Sequence, residues 1–446
     1  MSRIAVIGAG IAGMAVANLL SRKHDVWLFE KEKRLGGHTH THEIETSRGV
    51  LPIDTGFIVH NDRTYPNLVR LLQKLGVARQ GSDMSFGVSC RETGFEYSSR
   101  GLGGFFAARR NWYRVGHYRF LAEIVRFNRE ARKLLLDPAN ADLTLRDYLH
   151  AQRFHGDFTR YYLQPMAAAV WSTSPEEIEN FPAFTLVRFL ENHGLLRLTT
   201  APQWYALQGG SSVYIAPLTA PYRERIRLGA RIDGVTRTAA GIEIGFDDRP
   251  AEYFDEVVFA CHAPQALQLL MDASPLERQV LNSFRTSRNE TVLHTDSRLL
   301  PRRPGARASW NYHLGTRRRA ATLTYHMNRL QNLPTREDYC VTLNDTQSVD
   351  EQRILRQMTY FHPLYTLEAV RAQMRWREIS GRNRTHFCGA YWFYGFHEDG
   401  LNSAIRVAEK LGVNWEAALG ANPEVEWSTV VACESAAQPA RQAVAR

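Results

Sequence analysis

The chain has 446 residues, 44% hydrophobic and 23% charged, a balance that excludes a disordered, collagen-like or coiled-coil protein and allows more than one core. Its five cysteines stand far apart with no C-x-x-C pair, so neither a disulfide framework nor a cysteine zinc site is expected, and the chain reads as reduced and cytoplasmic. A formal charge of +9 favours anionic partners without choosing among phospholipid, nucleic acid and carboxylate, and no apolar run reaches the roughly 18 residues of a spanning helix, so a membrane association would be peripheral.

Near the N-terminus, Arg3 precedes a small and apolar stretch that a secretory leader would also show, but its glycines argue otherwise. Ile4-Ala5-Val6-Ile7 suits a buried parallel strand, and Gly8-x-Gly10-x-x-Gly13 follows at once, opening a helix over residues 11–21. A second strand over residues 25–29 ends in Glu30. In that frame Gly8 permits the tight turn, Gly10 lets backbone approach a pyrophosphate, Gly13 lets helix and strand pack closely, and the helix N-terminus favours the phosphate charge. Glu30 stands where a carboxylate accepts hydrogen bonds from an adenosine ribose. The residues thus predict a dinucleotide-binding domain.

The next residues, Lys31-Glu32-Lys33-Arg34-Leu35-Gly36-Gly37, resemble the E-x-x-x-R-x-G-G extension of FAD-binding proteins in the flavin amine oxidase and phytoene desaturase superfamily. The far end agrees: residues 385–389 look like the last strand of such a domain. The stretch from Gly395 to Ala404 is similar to the family's closing G-x-x-E-G-A-x-x-S-G, with Asp399 where glycine is usual. Residues 226–235 and 241–246 read as strands, and residues 255–264 resemble the family's V-V-x-A-x-x-P segment. The resemblance implies an α/β fold with α+β insertions. Its core is a Rossmann-type FAD domain of the glutathione-reductase-2 and amine oxidase kind, over 1–85, 205–265 and 381–446, and a discontinuous substrate domain takes 86–204 and 266–380. It further implies non-covalent FAD, with contacts carried over to Gly8, Gly10, Ile11, Ala12, Gly13, Glu30, Lys31, Arg34, Gly36, Gly37, His38, Asp54, Thr55, Gly56, Ile232, Gly389, Glu398, Asp399, Gly400 and Leu401.

Other segments, among them residues 54–61, 64–68, 162–166, Trp171-Ser172-Thr173, 209–211, 293–296 and 309–312, resemble a bacterial branch of NAD/FAD-binding proteins. Its members are often encoded beside cyclopropane-fatty-acid-synthase-like methyltransferases, and some are assigned to desaturation of methylated fatty acyl chains. That resemblance implies an acyl-lipid substrate and a methyltransferase partner. The rival readings are an amine oxidase and a flavin-bound scaffold for the methyltransferase without turnover of its own.

Candidate chemistry follows from residue types. Flavin amine oxidases commonly use a substrate-domain lysine to hold a water near the flavin, yet no lysine occurs between Lys133 and Lys410. Desaturation needs a proton acceptor. His294, near that lysine's place, and His397, beside the flavin in the family reading, are the catalytic candidates, with a buried structural histidine as the alternative for each. His38, His40 and His42 alternate, as metal ligands on a strand would, but the resemblance assigns His38 to the cofactor and no metal is expected. Cys388 is read as a core cysteine rather than a covalent flavin link. Trp171, Trp204, Tyr205, Gly209, Gly210, Trp392 and Tyr394 are read as lining the substrate site, with packed core as the alternative for each aromatic. Over residues 101–136 aromatics alternate with eight basic residues against Glu123 and Glu130, a pattern that fits either a solvated helix face or a seat on an anionic membrane at the inner face. No nucleic-acid partner is expected.

Overall fold

A computed structural model describes residues 1–137, 140, 142–171, 175–196, 202–315 and 322–419. Ser172 and Thr173 of the Trp171 segment, Cys433 and the Ala-rich end of the chain lie outside the described residues.

The nucleotide fold is assembled from distant pieces. β1 (Arg3–Ile7), α1 (Ile11–Leu20) and β2 (Asp25–Glu30) are joined much later in the chain by β3 (Ile226–Leu228), β4 (Glu256–Phe259), β5 (Thr385–Phe387) and α2 (His397–Lys410). The five strands form one parallel sheet in the order β3-β2-β1-β4-β5, with Val6 of β1 between Leu28 and Val258. Burial on both faces explains why β1 and β4 read as continuous apolar runs. α1 is apolar on almost every side because α2 covers the side turned from the sheet, so it lacks the single stripe of a surface helix. Gly13 is where α1 meets β1: a Cβ there would stand 1.8 Å from the Gly8 carbonyl oxygen.

The single strand expected over residues 226–235 is two. Gly229 turns the chain at φ +65°, a conformation that costs glycine nothing. β3 stays in the parallel sheet, while Ile232–Arg237 pairs antiparallel with Ile242–Phe246 in a separate three-stranded sheet.

A second core surrounds a seven-stranded sheet whose strands come from residues 86–98 and 285–364. Its long strands, Arg285–His294 and Ile354–Leu364, pair antiparallel. Helices Val115–Glu130, Gln164–Trp171 and Ala183–Asn192 bury Phe120, Phe127, Ala168 and Leu186 in one cluster with Val88, Tyr97 and Tyr312 of the sheet. Among the described residues no helix is long and apolar enough to cross a membrane.

Candidate active site

A cavity of about 1560 Å³ runs from the glycine loop after β1 to the seven-stranded sheet. Pockets for single drug-sized ligands span roughly 300–1,000 Å³, so this one has room for a large cofactor and a second molecule. Its two ends differ in chemistry.

At one end Gly8, Gly10, Ile11 and Ala12 line the wall with Glu30, Lys31, Arg34, Gly36 and Gly37. Gly10 precedes α1 without a side-chain cap, which leaves the first N–H groups of that helix for an anion. A Cβ on Gly10 would meet no protein atom within 4 Å, so the absent side chain opens space for a ligand rather than for packing. The Gly36 N–H donates to the Ala9 carbonyl at 2.9 Å, and the Arg34 guanidinium donates to the Gly37 carbonyl at 2.9 Å, which fixes the two glycine loops against each other. The Glu30 carboxylate accepts from the N–H of Ala9 at 2.7 Å and of Glu32 at 2.9 Å. Each oxygen keeps a lone pair for a ribose hydroxyl. This end fits a dinucleotide.

At the other end the wall is aromatic and aliphatic: Met166, Val170, Trp171, Phe189, Trp310 and Met358 are among its residues. Between the ends stand His38, His262, His362 and His397.

Residues 11–295 match the family described as flavin containing amine oxidoreductase. The chain belongs to that family. Its cofactor is therefore FAD, and the enzyme is an FAD-dependent oxidoreductase. Among solved structures the fold is shared with the CLA-producing fatty acid isomerase from P. acnes, at 16% identity and TM-score 0.66 over 92% of this chain and 99% of that one. Putrescine oxidase bound to putrescine aligns at 12% identity and TM-score 0.65 over 92% and 98%. Cyclohexylamine oxidase from Brevibacterium oxydans aligns at 16% identity and TM-score 0.64 over 92% and 99%.

Of the residues assigned to the family's flavin site from sequence, His38, Thr55, Gly56, Ile232, Gly389 and His397 also line the cavity. Others do not reach it. Gly13 is taken up in helix packing. Asp54 is buried behind the wall, where its carboxylate accepts from Thr41 Oγ1 at 2.6 Å, from Ser211 N–H and Oγ at 2.8 Å each, and from Gln331 Nε2 at 3.0 Å; it is a strut between three segments. Glu398 accepts from the N–H groups of Asn67 and Leu68 at 3.0 and 2.8 Å and so caps helix Pro66–Lys74. Asp399 accepts from the Phe396 N–H at 2.8 Å, closing the first turn of α2. Gly400 is the point where α2 crosses α1, since a Cβ would stand 2.7 Å from Ile11 Cγ2, and Leu401 is core.

The substrate-wall assignments divide the same way. Trp171, Trp204 and Tyr394 face the cavity. Tyr205 instead lies under the Arg79 guanidinium at 3.9 Å, Trp392 packs on Phe284, and Gly209 and Gly210 make a turn at φ +83° and +88°. His294 is placed apart from the cavity, as its buried structural alternative has it. It is fully buried in its strand, bonded through Nε2 to Thr342 Oγ1 at 2.8 Å and through Nδ1 to the Asp296 N–H at 3.1 Å, and it is absent from the cavity wall. Asp296 is engaged by Arg298 at 2.6 Å. Cys388 is buried in the core.

His40 and His42 lie ring to ring at 4.0 Å, with His40 Nδ1 bonded to Tyr360 Oη at 2.9 Å and His42 Nε2 to Thr55 Oγ1 at 3.1 Å, while His38 and His40 both line the cavity. The His38 ring stands 6.1 Å from His262, 5.3 Å from His362 and 5.2 Å from Tyr360, centre to centre. Its Nε2 is buried with no protein partner. His397 stacks on Phe57 at 3.7 Å, and its Nε2 bonds to Thr39 Oγ1 at 2.9 Å. His262 and His362 were not foreseen. His262 follows β4 inside a segment already singled out, whereas nothing local marked His362, which reaches the site only through the pairing of the long strands.

These histidines set an acid limit. Burial pulls His262 and His362 down from 6.5 to about 4, His397 to about 3, and His38 well below its usual value. His60, His193, His294 and His313 are likewise pulled to about 4. For a base lowered on folding the unfolded chain takes up protons first, so stability is lost as pH falls from 6.5 towards about 4. Burial also raises Asp54 to about 6, Asp399 to about 7 and Glu398 to about 8. Their sign is opposite: they favour the folded state as pH falls from about 8, but three carboxylates are outnumbered below 6.5. The urea midpoint is expected to peak near neutrality and drop between 6.5 and 4. A midpoint that rises on acidification contradicts this balance.

Proposed function

We propose that the enzyme dehydrogenates C–H bonds of an acyl chain, a methylated fatty acyl group being the substrate class. The observation that carries the reading is the distribution of charge on the cavity wall. Among the described residues its acidic members are Glu30 and Glu32 at the nucleotide end and Asp83, and Asp83 lies between Arg100 and Arg329, each at 3.7 Å. Among the described residues an ammonium substrate would find no carboxylate at the aromatic end free to receive it, and burying such a charge unpaired is costly. An acyl chain needs only the apolar wall. The missing flavin-side lysine supports the same choice, as does the likeness to the P. acnes fatty acid isomerase; the two amine oxidases mark the competing reading, and fold alone does not decide between them.

When bound, FAD supplies the two-electron oxidant. The protein must supply orientation and a proton acceptor. His38 suits that role, being neutral, buried and unpartnered at Nε2 in the wall between the two ends. General bases contribute about 10²–10⁴-fold. In anaerobic stopped-flow, a methyl-branched acyl phospholipid in micelles is expected to bleach the flavin while putrescine and cyclohexylamine do not. A His38→Phe variant that retains FAD is expected to bleach at least about 100-fold more slowly. Bleaching by amines and not by the lipid overturns the proposal.

A further inference from the structure

The cavity opens to the surface where Ser99 and Arg100 are both exposed and part of its wall. The chain that leaves this mouth is unlike the rest of the surface. Within the stretch that follows, Leu102 is 73% exposed, Trp112 50%, Tyr113 90%, Val115 84% and Tyr118 48%. Large side chains of this kind are normally exposed singly, and a cluster of them marks a contact surface. Trp112 and Tyr118 are held together by Phe106, whose ring stacks on Trp112 at 4.1 Å and meets Tyr118 at 5.7 Å, while Tyr118 Oη donates to the Trp112 carbonyl at 3.0 Å. Phe105, beside Phe106, lines the cavity. The exposed cluster and the cavity wall are therefore two sides of one short segment.

Charge selects the occupant. From Ser99 to Arg119 the chain carries five arginines and no acidic residue. Arg110 is committed to the Thr93 carbonyl at 2.8 Å, and Arg100 to Asp83. Arg109, Arg114 and Arg119 are exposed on the same segment as the aromatic cluster. Aromatic and aliphatic tips flanked by arginines match the boundary of an anionic bilayer, where rings sit at headgroup depth and guanidinium groups meet phosphates. We infer that residues 99–119 dock the enzyme on an anionic phospholipid surface with the cavity mouth facing the membrane, so that an acyl chain passes from the bilayer into the cavity without crossing water. The inference rests on the acyl-chain reading for its purpose, not for its test.

The test is flotation of the FAD-loaded full chain with vesicles of phosphatidylglycerol and phosphatidylcholine, against phosphatidylcholine alone, at about 0.05 M and about 0.5 M salt. The wild type is expected to float with the anionic vesicles only, and less at high salt. Arg109→Glu/Arg114→Glu is expected to bind at least about ten-fold more weakly, since it removes two cations from an anionic surface and adds two carboxylates that the surface repels. Leu102→Ser/Tyr113→Ser/Val115→Ser removes side chains that support nothing beneath them, and it too is expected to bind at least about ten-fold more weakly. Both variants keep the wild-type FAD absorbance and unfolding midpoint. Equal flotation on neutral vesicles, or undiminished flotation of either variant, overturns the inference. Bleaching of the variants by micellar lipid separates the two claims: if it persists while vesicle binding is lost, docking and chemistry are distinct, and if the lipid fails to bleach even the vesicle-bound wild type, the acyl reading fails and the docking surface stands.

Discussion

A Gly13→Ala variant is expected to yield no FAD-loaded protein, whereas Gly10→Ala is expected to fold and remain colourless. The two glycines belong to one motif and do different work. At Gly13 the added Cβ would stand 1.8 Å from the Gly8 carbonyl oxygen and 3.2 Å from Ala260 Cβ. The first of these is backbone that cannot step aside without moving β1 off α1. Overpacking in cores typically costs about 1–3 kcal/mol, occasionally more, and here the displaced atoms belong to the cofactor loop itself. At Gly10 the Cβ meets no protein atom within 4 Å, so its only obstacle is the ligand. Absorption spectra and unfolding curves of the two purified variants check this. A yellow Gly13→Ala protein of parental stability contradicts the packing account, and a yellow Gly10→Ala protein with unchanged FAD affinity contradicts the placing of the cofactor.

Asp54→Ala is expected to lower stability by about 3–5 kcal/mol, since at least two buried donors lose their acceptor at about 1–3 kcal/mol each. The carboxylate gathers donors from residues 41, 211 and 331. Without it the Ser211 N–H and the Gln331 Nε2 are left buried without the acceptor they share. Burial holds Asp54 up at about 6 despite those donors, so desolvation outweighs them, and Asp54→Asn, which keeps one acceptor oxygen, is expected to cost less than alanine. Urea unfolding monitored by tryptophan fluorescence measures both. A midpoint for Asp54→Ala equal to the parent's would mean that these contacts add nothing.

The contrast between these residues also explains what was legible in the chain. The glycine loop, Glu30 and the Arg34 to Gly37 turn are local: each acts on atoms a few positions away or on a strand next in sequence, so spacing alone exposes them. Asp54 was assigned to the cofactor by resemblance, and its partners Ser211 and Gln331, 157 and 277 residues distant, leave no trace in a motif. His294 was drawn to the flavin by position in a pattern, but its strand runs through the interior of the second sheet and both ring nitrogens are spent on Thr342 and Asp296. The closing segment was found, yet its acids serve the helix ends at Asn67 and Phe396 instead of the cavity. His362 came to the site only because Ile354–Leu364 pairs along the whole of Arg285–His294, a register no local pattern records.

The most direct test of the acyl-chain reading is mass spectrometry of a phospholipid carrying a methyl-branched chain, incubated aerobically with the FAD-loaded enzyme. The account predicts a product lighter by two hydrogen atoms, formed with the wild type and far more slowly with His38→Phe. An unchanged lipid, in a preparation whose flavin is bleached by putrescine or cyclohexylamine, would contradict it.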